Sequence, residues 1–372
     1  MNKKIIFFST GILILFCFAA LDAEEPSFLK LADAAVNVPS PAGCEEPLVR
    51  FIQGKLPPDA QTMRDNLGSL YWKRENRESR MAVCTPMDEM GYFVSGIDPQ
   101  GYLRIDKAVY GPPLIDSYHL GHPVRVWTEK GPLEGVLALP SLHILTSEVR
   151  QMFQERPSLE LAYVDIGVNS SEEARMKGVA VMDAVTPWRE MTRLAGTKMA
   201  GYSLGLKLCT ALVLDAAQHF ASQQAEANPE FVWMAQTKLA LRRSRPPSAL
   251  GAFRASEELE TGRVVVVDVF PCDIQDSAGI AIGSGPVLVY GEDKEGGLVN
   301  KIQEWARDKR LPLQKAADYR SPVLQPFWSA QKEAIGLFLP VKFSGTPSEV
   351  VDTRDAEVLG SLLRWLLQEG GL

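Results

Sequence analysis

Carboxylates are the side chains of this sequence that come nearest to a catalytic or metal-binding arrangement. Asp88 and Glu89 are adjacent, and neighbouring carboxylates can act as a general acid and a general base. A turn that both residues help to hold is the more ordinary interpretation. Asp268 ends a run of valines and is followed by Asp273 and Asp276, which could bind a cation. A solvated loop is the simpler explanation for the last two.

Imidazole groups give no recognisable metal site. The chain has only four histidines. His119, His122 and His143 fall in a region of short strands, and His219 falls late in an amphipathic helix. A lone histidine in such a position is most often structural or exposed, although relocated metal ligands remain an alternative.

Nucleophilic and phosphate-binding motifs are missing from the sequence. It has no Gly-x-Ser-x-Gly elbow and no Gly-rich loop ending in Lys-Ser or Lys-Thr. Four cysteines follow the N-terminal segment, namely Cys44, Cys84, Cys209 and Cys272, and their spacing fits no zinc pattern. Four buried thiols are favoured over two disulfides.

The N-terminus has the layout of a secretory signal peptide. Lys3 and Lys4 precede an apolar run from residue 5 to 20, and Ala19, Ala20 and Ala23 supply small residues before a cleavage point. We therefore expect a signal peptide over residues 1–23 and a secreted or periplasmic protein. An uncleaved membrane anchor is the alternative, but the apolar run is short for a bilayer span.

Charge and composition exclude some partners. The formal net charge is −7 and no basic block occurs, so nucleic acid is a poor partner, as is a membrane beyond the signal segment. The composition, 46% apolar and 23% charged, is that of a globular protein.

The pattern of elements divides the chain into two parts. Residues 95–189 alternate short apolar runs with Gly and Pro, which predicts an inserted β-rich domain, and Ser170 with Glu173 forms a helix-capping signal within it. Residues 24–94 and 190–372 alternate longer helices and strands. The strand at residues 264–269 is apolar on both faces, which favours a covered, largely parallel sheet. Residues 242–256 are rich in Arg, Pro and Ser and predict an exposed connection.

Several segments resemble one peptidase family. The run Met87-Asp-Glu-Met-Gly-Tyr-Phe-Val is similar to the His-Met-Asp-Glu-Ile-Gly-Phe-Met-Val signature of the glutamyl, deblocking and tetrahedral aminopeptidases, family forty-two of the metallopeptidases. Further matches occur in order at Pro41-Ala-Gly-Cys-Glu-Glu, Asp65-Asn-Leu-Gly-Ser, Asp165-Ile-Gly-Val and Gly283-Ser-Gly-Pro. The resemblance implies an α/β fold whose largely parallel sheet is sandwiched by helices, with an inserted small β-barrel that serves dimerisation.

Active members of this family hold two zinc ions and remove amino-terminal residues from peptides. The chemistry needs His and carboxylate ligands, one bridging carboxylate and a Glu that takes a proton from metal-bound water. By the resemblance, the first His ligand corresponds to Pro86, while Asp88, which orients that His, is kept. The bridging Asp corresponds to Gly201 in the run that begins at Lys198.

The remaining positions are also changed, with one exception. The general base corresponds to Thr237 and the next ligand to Lys238. The fourth ligand is kept as Asp268, and the last His corresponds to Gly345. We therefore expect no catalytic residue and no zinc. We expect the Lys238 ammonium to lie within salt-bridge reach of Asp268 or Asp88 in place of the metal. The alternative is that Lys238 extends to solvent and Asp268 caps a turn.

Three functions follow as hypotheses. The first is an exported pseudo-peptidase that binds peptides or forms a homo-oligomer through the inserted domain. The second is an active metallo-aminopeptidase with an altered or relocated metal site. The third is a different hydrolytic activity on the same scaffold, because fold does not fix function.

Overall fold

The structure is a computed structural model that describes residues 25–58, 60–74, 79–109, 118–141, 143–155, 159–223, 228–239, 249–272, 279–291, 297–317 and 321–370. The predicted signal peptide, Asp273 and Asp276 lie outside these residues. No helix of the described segments is long and apolar enough to cross a membrane.

Eight strands form the main sheet, in the order β1-β2-β12-β3-β13-β16-β14-β15. The strands of all three sheets are numbered together in chain order. Those of the main sheet are β1 Thr62–Arg64, β2 Leu70–Trp72, β3 Ala82–Pro86, β12 Glu230–Met234, β13 Arg263–Pro271, β14 Val287–Tyr290, β15 Gln314–Ala317 and β16 Glu333–Val341. The four central strands, β12, β3, β13 and β16, are parallel, whereas β2 and β14 join them antiparallel. The predicted α/β class is confirmed, with antiparallel pairs flanking a parallel centre. Strand β3 is buried on both faces, as a covered central strand must be.

Helices cover both faces of this sheet. The α-helices of the described segments are α1 Ser27–Val36, α2 Glu46–Gln53, α3 Ser147–Glu155, α4 Ser171–Met176, α5 Leu204–Ala221, α6 Leu250–Glu258, α7 Gly297–Asp308, α8 Gln325–Ser329 and α9 Thr353–Trp365, with a 3-10 turn at Leu159–Leu161 and a π turn at Leu366–Gly370. Helices α1, α2, α5, α7 and α9 share one apolar core with the sheet, and α6 and α8 share the other. The predicted sandwich of a sheet between helices is therefore present.

A closed barrel of six strands interrupts the α/β part. The strands lie in the order β4-β5-β8-β7-β6-β9 and are β4 Tyr92–Ile97, β5 Leu103–Lys107, β6 Pro123–Thr128, β7 Gly131–Ala138, β8 Tyr163–Asp165 and β9 Ala184–Pro187. The barrel has its own apolar core. Strand β4 begins at Tyr92, so its first residues precede the predicted boundary at residue 95. Ser170 caps α4, because its Oγ accepts the Glu173 amide at 3.1 Å.

A small third sheet is formed by residues that follow the barrel in the chain. It has the order β10-β11-β17, with β10 at Thr192–Arg193, β11 at Lys198–Gly201 and β17 at Glu349–Asp352. Gly201 is paired with Glu349 in this sheet. Two positions that the sequence compared with metal ligands, Gly201 and Gly345, are thereby brought to the same end of the molecule.

The expectation of an exposed connection at residues 242–256 was wrong for its last part. Helix α6 begins at Leu250 and buries Gly251, Ala252 and Ala255 against the sheet. Gly251 lies so close to the end of β12 that an added Cβ would be 1.7 Å from the Ala235 carbonyl oxygen. Small residues that look like a linker therefore allow tight packing. Residues 242–248 lie outside the described segments.

Candidate functional site

The family's metal positions lie at the carboxyl ends of parallel neighbours in the main sheet. Pro86 is the last residue of β3, and its register partner in β12 is Met234. Thr237 and Lys238 follow β12 in a loop in which Gln236 has a φ of 53°. Asp268 lies within β13 on the other side of β3. We call the space between these strand ends, the Gly345 loop and Gly201 the cleft.

Asp88 is fully buried in the cleft and holds the loop after β12. Its Oδ1 accepts hydrogen bonds from the Thr237 backbone N–H at 2.8 Å and the Thr237 hydroxyl at 2.5 Å. Its Oδ2 accepts the Lys238 backbone N–H at 2.6 Å. In the family this carboxylate orients a His ligand. Here both of its oxygens are occupied by the loop that carries the replaced base and ligand.

Asp268 and Lys238 influence each other through space. Burial raises the pKa of Asp268 to about 6, the Asp88 charge adds to this rise, and the Lys238 charge opposes it. The Lys238 nitrogen nevertheless lies within 4.0 Å of no carboxylate oxygen in the described chain. The expected contact ion pair is therefore not formed, and the contacts of Lys238 with Asp88 run through its backbone. Lys238 acts on Asp268 only at longer range.

The two glycine positions offer no ligand, and they differ in the space around them. An added Cβ at Gly201 would lie 2.9 Å from the Glu190 carbonyl oxygen, so the backbone has closed over that position. Gly345 has a φ of +79° with nothing within 4 Å of an added Cβ. Its N–H donates to Glu349 Oε1 at 3.0 Å, and Glu349 Oε2 accepts the Gly205 N–H at 3.1 Å. Burial raises the pKa of Glu349.

His119 from the barrel region reaches the cleft. It is 1% exposed, and its Nδ1 lies 2.6 Å from the Tyr92 hydroxyl. Burial lowers the pKa of His119 to about 4, while the backbone of Gly345 opposes that shift. Its Nε2 has no partner with good hydrogen-bond geometry in the described chain. An imidazole therefore lies near the backbone of Gly345, the position that the resemblance aligns with the family's last His.

The sequence did not single out His119, because Tyr92, Tyr202 and Gly345 are distant from it along the chain. Both tyrosine rings meet the imidazole edge-on. The other histidines lie elsewhere. His122 and His143 are exposed, and His219 contacts the side chains of Gln223 and Gln368.

A further buried carboxylate, Glu89, lies in a cluster of charges beside the cleft. Its two oxygens accept both terminal nitrogens of Arg189, and Lys207 Nζ lies 3.5 Å from Oε2. Burial alone would raise the pKa of Glu89, but Arg189 and Lys207 hold it below its ordinary value. Burial lowers the pKa of Lys207 to about 8, against the opposing Glu89 charge.

This charge cluster ties three segments together. Arg189 donates to the Val36 carbonyl at 3.0 Å, and Lys207 donates to Ser40 Oγ at 2.8 Å. Ser40 in turn donates its backbone N–H to Glu89 at 2.7 Å. The turn interpretation of Asp88 and Glu89 is thus the one that the hydrogen bonds support. A lysine within the otherwise apolar start of α5 was the sequence signal for this cluster.

The residues of the cleft do not fit two zinc ions. Within the described segments no group of three His, Cys, Asp or Glu side chains is arranged to hold a metal. Both oxygens of Asp88 accept hydrogen bonds from Thr237 and Lys238, Lys238 is cationic, and the side chains of Pro86 and Gly201 have no ligand atom. Cys209 beneath the cleft is a buried free thiol whose pKa is raised by burial. Cys84 is also a buried free thiol, and Cys272 is buried.

Comparison with known proteins decides the family. The model of the M42 glutamyl aminopeptidase family matches residues 68–362. The chain belongs to this family. Among M42 relatives, the lysyl aminopeptidase of Pyrococcus furiosus is 26% identical over 313 residues, which cover 82% of this chain and 86% of that protein.

Solved M42-like structures share the fold. The TET aminopeptidase of Thaumarchaeota archaeon SCGC AB-539-E09 superposes with a TM-score of 0.78 at 20% identity, over 92% of this chain and 96% of that one. The TET1 peptidase of Pyrococcus horikoshii, which can assemble into a tetrahedron or a large octahedral shell, gives a TM-score of 0.78 at 23% identity over 92% and 100%. The sheet, the barrel and their connection are therefore those of the M42 fold.

Proposed function

We propose that this protein is an exported M42 homologue without a dinuclear zinc centre, which binds peptides in the cleft rather than hydrolysing them. The proposal rests mainly on the hydrogen bonds that the Asp88 carboxylate accepts. A carboxylate whose oxygens accept three hydrogen bonds from Thr237 and Lys238 is not free to orient a metal ligand, and both of those residues stand where active relatives need carboxylates. Pro86, Gly201 and Gly345 supply no ligand to compensate.

Room for a peptide remains on the Gly201 side of the cleft. A cavity of about 240 Å³ lies between the barrel and β11, with Trp188, Tyr202 and Pro347 among its walls. The exposed carboxylate of Glu190 stands at its rim, next to Gly201. This combination favours a peptide whose free amino group is held by Glu190 and whose first side chain enters the cavity.

Zinc content and turnover test the proposal together. Residues 24–372 would be purified, metal would be measured by mass spectrometry, and hydrolysis of lysyl, leucyl and glutamyl p-nitroanilides would be followed with the Pyrococcus furiosus enzyme as positive control. We expect no stoichiometric zinc and no turnover. About two zinc ions per chain with chelator-sensitive activity would refute the proposal.

Binding is tested separately from catalysis. A tripeptide with a free amino terminus, Leu-Ala-Ala, would be titrated by calorimetry against its N-acetylated form. We expect binding of the free form only, and Glu190→Gln should weaken it by about tenfold. Equal binding of both forms would rule out recognition of the amino terminus in the cleft.

Export and self-association complete the proposal. The N-terminal sequence supports secretion, and the assembly of the Pyrococcus horikoshii relative supports a homo-oligomer. Mass spectrometry of the mature N-terminus after expression in a Gram-negative host tests cleavage near residue 23. Light scattering of wild type and of a barrel-surface variant tests the role of the barrel.

An active aminopeptidase with an altered site is the second candidate, and His119 is the observation that favours it. Its imidazole faces the backbone of Gly345, where active relatives place a His. If this residue were a metal ligand, His119→Ala would abolish chelator-sensitive turnover. If turnover is absent in wild type, this candidate fails.

A further inference from the structure

The last strand of the main sheet has an outer edge with no strand partner in the described chain. Strand β15 is terminal in the sheet order and pairs with β14 alone. The Lys315 and Ala317 side chains are exposed, whereas Gln314 and Ala316 are half-buried. The outward backbone groups of such an edge can accept a further strand.

A groove runs along this edge. A cavity of about 560 Å³ separates β15 from helix α7. Asn300, Gln303, Glu304 and Arg307 line it at the three- and four-residue spacing of one helix face, and Lys315 lines it from the strand side. A helix beside an open strand edge is an arrangement in which an extended peptide can add to the sheet and place alternate side chains against the helix.

The groove offers more donors than acceptors. Lys315 Nζ donates to Gln303 Oε1 at 2.8 Å, and Gln303 Nε2 is buried without a partner in the described chain. Neither Arg307 nor Lys315 has a described carboxylate oxygen within 4.0 Å. Two cations and a free amide donor therefore face one carboxylate, Glu304, and a ligand that carries carboxylates would complement them.

Charge also disfavours a second copy as the occupant. Antiparallel pairing of β15 with itself would bring Lys315 near its symmetry mate, and like charges in neighbouring cross-strand positions are destabilising. The whole chain carries a formal charge of −7, so the groove is a local basic surface on an acidic protein. An acidic peptide is complementary to this surface, whereas the same basic edge of a second copy is not.

We propose that the groove between β15 and α7 binds an extended peptide with carboxylate side chains, which adds to the sheet as a strand beside β15. This groove is separate from the cleft, and its ligand needs no free amino terminus. The two sites can therefore be tested independently.

The test uses the blocked peptide acetyl-Glu-Val-Glu-Val-Glu-Val-amide, with acetyl-Lys-Val-Lys-Val-Lys-Val-amide as the control. Binding to the mature chain would be measured by calorimetry at low salt. We expect the acidic peptide alone to bind, and Arg307→Glu or Lys315→Glu should each weaken it by about tenfold. Lys309→Glu reverses an exposed charge in the turn that directly follows α7, at a residue that does not line the cavity, and it should leave binding unchanged.

Hydrogen exchange on the wild-type protein locates the peptide without any substitution. We expect the amides of residues 314–317 to gain protection when the acidic peptide is bound. Absence of binding, equal binding of the basic peptide, or protection only at other segments would each overturn the proposal. Loss of Leu-Ala-Ala binding in the cleft would leave it standing.

Discussion

The charge cluster beside the cleft predicts a large and specific loss of stability on Glu89→Gln. The substitution preserves shape and can keep an acceptor for the Ser40 N–H, but it removes the negative charge that, among the described residues, contacts both Arg189 and Lys207. All three side chains are fully buried. Removing one partner of a buried ion pair costs about 3–5 kcal/mol, because the remaining charges are left uncompensated.

Glu46→Gln is the matched control. Glu46 also pairs with two arginines, Arg50 and Arg64, but its side chain is 44% exposed. Ion pairs in contact with solvent contribute about 0–1 kcal/mol. The two substitutions make the same chemical change on one chain, so their difference isolates the effect of burial.

Urea unfolding at pH 7, followed by tryptophan fluorescence, gives the free energy of unfolding for each variant. We expect Glu89→Gln to lose several kcal/mol and Glu46→Gln to stay within about 1 kcal/mol of wild type. If the two variants agree within about 1 kcal/mol, the cluster does not stabilise the junction of α1, the barrel and α5, and the reasoning is refuted.

The pH dependence of the same cluster follows from Lys207. Its pKa is about 8 in the folded protein and 10.5 in the reference state. The unfolded chain therefore binds more protons between these values, and this residue makes stability rise with pH across that window. Lys207→Met should remove that rise, so the difference between wild type and variant should change between pH 8 and pH 10.5. If the difference in unfolding free energy stays constant across this pH range, Lys207 has the same charge in the folded and the unfolded chain there, which would contradict the prediction.

Three further substitutions test the cleft. Asp268→Asn should stabilise the protein at pH 7 by about 1–3 kcal/mol and lose that advantage near pH 4. The reason is that the buried carboxyl has a pKa of about 6 and takes up a proton on folding between pH 6 and pH 4. Unfolding measured at both pH values checks this. His119→Phe should reduce the loss of stability that occurs as the pH falls from 6.5 to 4. The imidazole stays neutral to about pH 4 in the folded protein, whereas it is protonated in the unfolded chain over this range. The same loss of stability in wild type and variant would contradict this. Gly201→Asp should lower stability by about 1–3 kcal/mol, because the added Cβ would lie 2.9 Å from the Glu190 carbonyl oxygen. It should not lead to zinc binding. Thermal unfolding with and without zinc measures both effects.

The fold could be predicted from the sequence where buried apolar residues recur in the pattern of a helix or a strand. Helix α5, Leu204 to Ala221, leaves a clear sequence signal, because fifteen of its residues are buried and most of them are apolar. The valine-rich strand was predicted from residue 264 to 269 and extends from Arg263 to Pro271, since its ends carry residues that do not signal a strand. Helix α6 was missed, because Gly, Ala and Ser at a tight helix–sheet contact have the composition of a loop.

The candidate site was predictable only as a set of positions. The resemblance located Pro86, Gly201, Thr237, Lys238 and Gly345, and the structure brings these positions to one end of the sheet. The resemblance could not reveal which groups surround these positions. His119 reaches Gly345 across 226 residues of chain, and the Asp88 contacts with the 237–238 loop use backbone donors, which no side-chain motif records.

The buried carboxylates of the cleft explain why single ligand restorations should fail. Without a dication, each remaining carboxylate needs another source of stabilisation. Asp88 obtains it from backbone and hydroxyl donors of the 237–238 loop, and Glu349 obtains it from the amides of Gly205 and Gly345. Burial raises the pKa of Asp268 to about 6, and neither the Val269 N–H that it accepts nor the Lys238 charge cancels that rise.

A carboxylate introduced at position 201 or 238 would add negative charge to this arrangement without freeing any donor that now satisfies Asp88 or Glu349. It would therefore destabilise the cleft before it could bind zinc. Binding would require the loop after β12 to release Asp88 while Pro86 and Gly345 both become histidine. The hydrogen bonds of Asp88 and Glu349, more than the absence of any one ligand, separate this chain from a zinc aminopeptidase.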